Sequence, residues 1–111
     1  MLLVDLLLQV YQLIQFLDLE INTEEHTVKR NGEEISLTPM EFEVFLVLLK
    51  NKNIAISREK LLQVVWGTDY FGETRTVDVH IRRLRKNLQD KENTLIRTVR
   101  SSGYALNIDK N

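Results

Sequence analysis

The 111-residue chain contains no cysteine, a single proline and only four glycines. Without cysteine it has no disulfide framework, no thiolate zinc site and no cysteine nucleophile, and a reducing compartment carries no cost. It also lacks a long apolar run, since Asp5, Gln9, Gln12 and Gln15 interrupt residues 1–15 well short of the ~20 apolar residues of a spanning helix. That stretch has no basic start and no small-residue cleavage site, so we expect no secretory signal. The length fits one domain, which we expect in the cytoplasm without a membrane part.

An excess of positive charge is missing as well. The chain has 15 lysines and arginines against 16 aspartates and glutamates, for a formal net charge of −1, which by itself argues against nucleic-acid binding. The distribution of charge along the chain reverses that argument. Residues 75–100 carry eight basic and three acidic side chains, whereas residues 1–74 carry six basic and twelve acidic ones. One part of the chain therefore attracts phosphate while the rest stays acidic.

Residues suited to catalysis are scarce. The two histidines are isolated, there is no glycine-rich phosphate loop, and the adjacent acids Glu24-Glu25 and Glu33-Glu34 are typical of a solvated hairpin. We therefore predict that the protein is not an enzyme and needs no cofactor or metal.

Residues 74–89, TRTVDVHIRRLRKNLQ, predict one helix with two different faces. At 3.6 residues per turn, one face is an apolar stripe for the core, formed by Val77, Ile81, Leu84 and Leu88. The opposite face is basic apart from one valine and consists of Arg75, Val79, Arg82, Arg83 and Lys86. A solvated helix face normally mixes acidic with basic residues, so this face predicts a polyanionic ligand.

The remaining elements surround this helix. Alternating apolar residues predict strands near 17–22, 26–30 and 34–37, with Asn31-Gly32 as a type I′ turn. Thr38, Pro39 and Glu41 predict a capped helix that ends near Asn51; Ser57 caps a second helix that stops at Gly67. Two more strands, 95–99 and 104–107, enclose a turn at 100–103. The predicted fold class is α+β: an antiparallel sheet, three helices and a hairpin.

Residues 1–15 precede the predicted domain. Their leucine and valine positions are spaced like a short coiled-coil seam: Leu3, Leu6, Val10, Leu13 and Leu17. We favour a linker remnant or a cloning-derived segment over this dimerising helix, and we interpret residues 108–111 as a C-terminal tail.

Three helices followed by a hairpin outline a winged helix, in which the third helix enters the major groove and the hairpin, or wing, lies against the neighbouring backbone. The strings SLTPMEFEVFLVLL, SREKLLQVVWG, RTVDVHIRRLRKNL and IRTVRSSGY resemble, in this order, the C-terminal DNA-binding domain of OmpR/PhoB-type response regulators. The resemblance covers about residues 16–107. It implies a winged helix-turn-helix that binds specific double-stranded DNA sequences to control transcription, as the effector domain of a two-component response regulator whose receiver a histidine kinase phosphorylates.

The resemblance and the side-chain chemistry together suggest which residues read bases. Arg83 can donate two hydrogen bonds to guanine, Val79 suits a thymine methyl, and Thr76 lies in the first turn near the base edges. Asp78 is limited to accepting from a cytosine amino group, and a plain favourable charge at the helix N-terminus is its alternative.

A second group is assigned to the DNA backbone: Trp66, Arg75, His80, Arg82, Arg85, Lys86, Thr98 and Arg100. Core packing is the alternative for Trp66, simple solvation for His80, and an ion pair with an acid of the domain for Arg85. In the wing, Ser101 stands where many family members have the first glycine of Gly-x-Gly-Tyr, so wing geometry is less securely predicted.

The loop after the second helix implies, by resemblance, a contact with RNA polymerase. Its exposed residues are Asp69, Tyr70, Phe71 and Glu73, and an ordinary surface loop is the alternative. We further expect repeated DNA half-sites bound by a weak or DNA-induced dimer. A winged helix that binds only proteins is the alternative function.

Overall fold

The computed structural model describes residues 19–107, and its elements follow the predicted order. The antiparallel N-terminal sheet comprises β1 (Leu19–Asn22), β2 (Thr27–Arg30) and β3 (Glu33–Ile35). The helices are α1 (Pro39–Lys50), α2 (Arg58–Leu61), which continues into a π-helical segment (Leu62–Trp66), and α3 (Arg75–Asn87). The wing is the antiparallel hairpin of β4 (Ile96–Val99) and β5 (Gly103–Leu106). This confirms the α+β winged helix-turn-helix; the interpretations of residues 1–15, 16–18 and 108–111 lie outside the described residues.

The turn between β2 and β3 has the predicted geometry. Asn31 and Gly32 both have positive φ, 53° and 84°, and Arg30 pairs with Glu33 on either side of them. The two-residue turn starts β3 at Glu33, one residue earlier than predicted. The predicted start of β2 was also one residue off, because His26 has a φ of 57° and belongs to the preceding turn.

Helix α1 begins with the predicted capping box. The Thr38 hydroxyl accepts from the Glu41 backbone N–H at 3.1 Å, and the Glu41 carboxylate accepts from the Thr38 N–H at 3.2 Å. The same carboxylate is buried and accepts from Asn87 Nδ2 at 3.1 Å. A single cap therefore also joins the start of α1 to the last turn of α3.

The core stripe of α3 is confirmed, since its residues are at most 1% exposed. They pack in one cluster with the apolar side chains of α1, the sheet and the wing. Because this stripe is buried, the basic side of α3 must face outward. Among residues 19–107, no helix is long and apolar enough to cross a membrane.

The wing turn lies one residue earlier than predicted. The Ser102 N–H donates to the Val99 carbonyl at 2.8 Å, so the tight turn covers 99–102 and Gly103 already pairs in β5. Ser101 adopts a φ of 68°, the left-handed conformation that the family's glycine adopts easily. Gly103 has a φ of 116°, and a Cβ there would lie 2.0 Å from the Ile56 carbonyl oxygen. Only glycine allows β5 to approach the segment before α2 this closely.

Candidate nucleic-acid interface

The outer face of α3, formed by Arg75, Val79, Arg82, Arg83 and Lys86, is open to solvent. Arg82, Arg83 and Lys86 are exposed, and none of their side chains forms a hydrogen bond or ion pair with another residue of the described range 19–107. Arg75 approaches Glu73 at 3.9 Å, but both side chains are about four-fifths exposed (81% and 79%), so the pair is weak. The basic groups of this face remain available to an external anion.

Val79 lies on the same face between these basic residues. It is partly exposed and is not among the side chains packed against the core cluster. The prediction that Val79 is an apolar contact on the outer face is therefore compatible with the fold.

The first turns of α3 carry a small cluster of aromatic and polar side chains. His80 Nδ1 lies 2.9 Å from the Thr76 carbonyl oxygen, and the His80 ring meets the Trp66 ring edge-on with centroids 4.9 Å apart. The Tyr70 hydroxyl lies 3.5 Å from the Thr76 hydroxyl. His80 is therefore held in place rather than freely solvated. Trp66 is partly buried, so it packs against the core and contacts His80 of α3 at once.

Asp78 has internal partners that the sequence did not reveal. Its Oδ1 accepts from Arg58 Nε at 2.7 Å and, in a short hydrogen bond, from the Tyr104 hydroxyl. Partial burial raises the pKa of Asp78, but the hydrogen bonds from Tyr104 and Arg58 outweigh it and leave the pKa below its ordinary value. Burial and the bond to Asp78 raise the pKa of Tyr104. The role of Asp78 in base reading stays a prediction.

Arg85 also has an internal function. Its Nε and Nη2 donate to the Ile96 carbonyl oxygen at 2.9 and 2.6 Å, and Nη2 donates to the Thr98 hydroxyl at 2.8 Å. The alternative of an ion pair with an acid is wrong, because a backbone carbonyl of β4 takes that place. The only sequence signal was position: Asp78 and Arg85, seven residues apart, border the apolar stripe on the same side.

The wing adds further basic groups. Arg97 and Arg100 are exposed and, within the part of the chain that the structure describes, their side chains have no hydrogen-bonded or ionic partner. A cavity of about 570 Å³ lies between α3, residues 89–93 and Tyr104 of the wing. Its charged lining consists of the basic residues Arg82, Arg85, Lys86 and Lys91 and the acidic residues Asp78 and Asp90. Arg97 and Lys91 were not singled out from the sequence, since nothing in their local pattern distinguishes them from other surface residues.

The loop between the π-helical segment and α3 presents one large apolar side chain. Phe71 is 94% exposed, whereas Tyr70 is 39% exposed and lies across Gly72, where a Cβ would come within 2.1 Å of the Tyr70 oxygen. The Tyr70 N–H donates to the Gly67 carbonyl at 3.2 Å. Asp69 and Glu73 are exposed beside them, so the loop offers an apolar tip with acidic neighbours.

A family model described as "Transcriptional regulatory protein, C terminal" matches residues 32–106. The chain belongs to this family. The uncharacterized transcriptional regulatory protein YkoG of Bacillus subtilis (strain 168) is 43% identical over 90 residues, which are 80% of this chain and 40% of YkoG. The chain thus spans less than half the length of this curated relative.

Solved structures agree with this membership. The DNA-binding domain of Bacillus subtilis CssR superposes with a TM-score of 0.72 at 35% identity, covering 79% of this chain and 98% of that one. The DNA-binding domain of Klebsiella pneumoniae RstA, solved with the RstA box, gives 0.76 at 33% identity, covering 85% and 95%. The resemblance to OmpR/PhoB-type response regulators is confirmed, and the chain is a DNA-binding effector domain of this family.

In this OmpR/PhoB-type domain, the predicted site residues do not all lie free on one surface. Those on the outer face of α3 share one open surface, whereas the side chains of Asp78, Arg85 and Thr98 form hydrogen bonds with other residues of the domain. In residues 19–107 there is no cluster of three or more histidine or acidic side chains that could hold a metal. The chemistry that this surface offers is recognition of an anion.

Proposed function

We propose that this domain binds double-stranded DNA by placing the outer face of α3 in the major groove and the wing against the adjacent backbone. One observation carries the proposal: the side chains of Arg82, Arg83 and Lys86 point outward without partners among residues 19–107, from a helix whose other side is fully buried. Unpaired basic groups on a rigid helix suit a phosphate-rich ligand. The complex of the RstA domain with the RstA box supports the same choice of ligand.

The residues nearest the floor of the major groove would read the base sequence. Arg83 offers two parallel donors to guanine, and Val79 offers an apolar contact to a thymine methyl. Thr76 and the second carboxylate oxygen of Asp78 are further candidates for base edges, Asp78 as an acceptor from a cytosine amino group.

Backbone contacts surround the readers and fix the register of the domain on the duplex. They involve exposed basic groups of α3 and the wing and the side chains bordering them: Trp66, Arg75, His80, Arg82, Arg85, Lys86, Thr98 and Arg100. Because one recognition helix covers only a half-site, tandem domains on repeated half-sites would gain affinity by avidity, as a weak or DNA-induced dimer.

The same proposal extends to the protein's partners. In a cytoplasmic two-component system, a receiver domain phosphorylated by a histidine kinase would control this domain. The loop residues Asp69, Tyr70, Phe71 and Glu73 would contact RNA polymerase. The exposure of Phe71, at 94%, supports a protein partner for this loop.

The test is DNA selection followed by a salt titration. Genomic fragments selected with the purified domain and sequenced would define the preferred site. Binding to that site should weaken with salt at a slope of about −0.9 per phosphate, for roughly 4 to 8 phosphates. A flat salt response, with binding that survives Arg82→Ala and Arg83→Ala, would instead support a protein-interaction module.

A second measurement separates base reading from backbone binding. Arg83→Ala should lose about 1 to 3 kcal/mol on the best site and reduce the preference at one or two base pairs. Arg100→Ala should weaken all sequences alike and lower the salt slope. Equal losses on specific and random DNA for Arg83→Ala would transfer the reading role to Arg82.

A further inference from the structure

Three separate elements meet at one carboxylate oxygen. Asp78 Oδ1, on α3, accepts from Arg58 at the start of α2 and from Tyr104 on β5. Arg58 Nη2 also donates to the Tyr104 hydroxyl at 3.3 Å, and the Arg58 guanidinium lies 4.9 Å from the centre of the Tyr104 ring. The contact therefore joins α2, α3 and the wing in a closed triangle of hydrogen bonds.

The other wing strand is attached to the same helix. Arg85 on α3 donates to the Ile96 carbonyl and the Thr98 hydroxyl of β4, and its guanidinium lies 5.5 Å from the Tyr104 ring centre. One attachment would fix only a distance between α3 and the wing. Together with the backbone bridge between Ile56 and Tyr104, two attachments to α3, one from each strand, also fix the angle of the hairpin.

That angle matters for binding because the wing tip is remote from α3 along the chain but must meet the same duplex. Arg100 is exposed on the wing turn. If the hairpin moved freely about its base, ordering it on DNA would reduce the affinity gained from Arg100.

We propose that Arg58, Asp78 and Tyr104 are positioning residues that hold the wing at its DNA-binding angle before DNA arrives. Through this angle they determine how much affinity Arg100 contributes. The inference rests on the proposed function, since it requires α3 and the wing to contact one duplex. It gives Asp78 a function through the wing that does not require contact with a base.

The experiment is a double-mutant cycle between Tyr104→Phe and Arg100→Ala, measured on the selected DNA site at several salt concentrations. Tyr104→Phe removes the hydroxyl but keeps the ring, and should weaken binding roughly two- to tenfold. In this background, Arg100→Ala should cause a clearly smaller loss than in the wild type, and the salt slope should already be lower by up to about 0.9.

Tyr70→Phe is the matched control, because it removes a tyrosine hydroxyl that lies near Thr76 rather than on the wing. In that background the full effect of Arg100→Ala should persist. Urea unfolding establishes that each variant is folded under the binding conditions. If Tyr104→Phe does not fold, Arg58→Lys serves in its place, since lysine keeps the charge but cannot donate to Asp78 and Tyr104 with a planar fork.

The outcomes separate the two proposals. Failure of the wild type to bind DNA overturns the proposed function. If the wild type binds but the effects of Tyr104→Phe and Arg100→Ala simply add, the hydroxyl does not act through Arg100 and the positioning role is wrong. An Arg100→Ala variant that binds as tightly as the wild type would also contradict it, because the wing would then contribute no affinity to be positioned.

Discussion

Arginines on two sides of α3 have opposite surroundings. On the outer face, Arg82 and Arg83 are exposed and their side chains have no partner within residues 19–107. At the wing base, Arg58 and Arg85 donate to a carboxylate, a hydroxyl and a backbone carbonyl. The same side chain thus stabilises the fold in one place and remains available to a ligand in the other. What decides between the two is whether the fold brings an acceptor within reach.

This difference also separates stability from binding. Neighbouring basic groups without partners repel one another, so the outer face contributes little or nothing to folding. The hydrogen bonds of the wing base are partly shielded from water and contribute to it. Substitutions at the wing base should therefore change stability first, and substitutions on the outer face should change DNA affinity first.

The largest loss of stability is expected from Gly103→Ala. A Cβ at this position would lie 2.0 Å from the Ile56 carbonyl oxygen, and the residue has a φ of 116°. The free energy of unfolding, measured in urea, should fall by about 3 kcal/mol or more. The matched control is Gly32→Ala, which has a φ of 84° but nothing within 4 Å of the new Cβ, and should cost about 1 kcal/mol. Equal losses would show that β5 does not approach Ile56 as described.

Arg85→Ala and Arg82→Ala compare the two regions directly. Arg85→Ala leaves the Ile96 carbonyl and the Thr98 hydroxyl without their donor, so the free energy of unfolding should fall by about 1 to 3 kcal/mol. Arg82→Ala should change it by no more than about 0.5 kcal/mol while weakening DNA binding. Similar unfolding curves for both variants would mean that Arg85 belongs functionally to the outer face.

Patterns local in sequence predicted most of the fold. The spacing of Val77, Ile81 and Leu84 fixed the buried side of α3, and the capping box at Thr38 fixed the start of α1. The two-residue turn at Asn31-Gly32 was also predictable, because it needs only residues that accept positive φ. The open side of α3 was then predictable as well, because it lies opposite the buried stripe.

The internal partners of the site were not predictable in the same way. The partners of Asp78 are Arg58 and Tyr104, which lie 20 and 26 positions away in the sequence, so no helical or strand period relates them to it. The helical pattern placed Arg85 beside the apolar stripe but could not identify its partners, because only the position of β4 gives Arg85 its acceptors. The π-helical segment that ends at Trp66 had no signal in the sequence.

A smaller effect is expected from pH at the wing base. The pKa of Asp78 is lowered in the fold, so its ionised form stabilises the folded state at neutral pH, and this contribution disappears as pH falls below about 4. The wild type should therefore be more stable than Asp78→Asn at pH 7, and the difference should shrink towards pH 3 in urea titrations. The effect is modest, because the Asp78 side chain is 38% exposed and solvent screens the pair. A difference that grew on acidification would contradict the assigned ion pair.

The smallest effect concerns Val79, the apolar member of the outer face. It is partly exposed and lies outside the core cluster, so Val79→Ala should leave unfolding in urea almost unchanged. If Val79 contacts a thymine methyl, replacing that thymine with uracil should weaken wild-type binding by about 0.8 kcal/mol, or roughly fourfold, and should have no further effect on Val79→Ala.

The comparison requires uracil at each thymine of the selected site in turn. Val64→Ala is the matched control, because Val64 is 52% exposed on the π-helical segment rather than on α3, and it should keep the full methyl effect. If no thymine shows a methyl effect that disappears in Val79→Ala, then Val79 does not read sequence, and the specificity of the outer face comes from its polar side chains. A large loss of stability in Val79→Ala would point elsewhere, since it would require α3 to be rotated so that this side chain packs in the core.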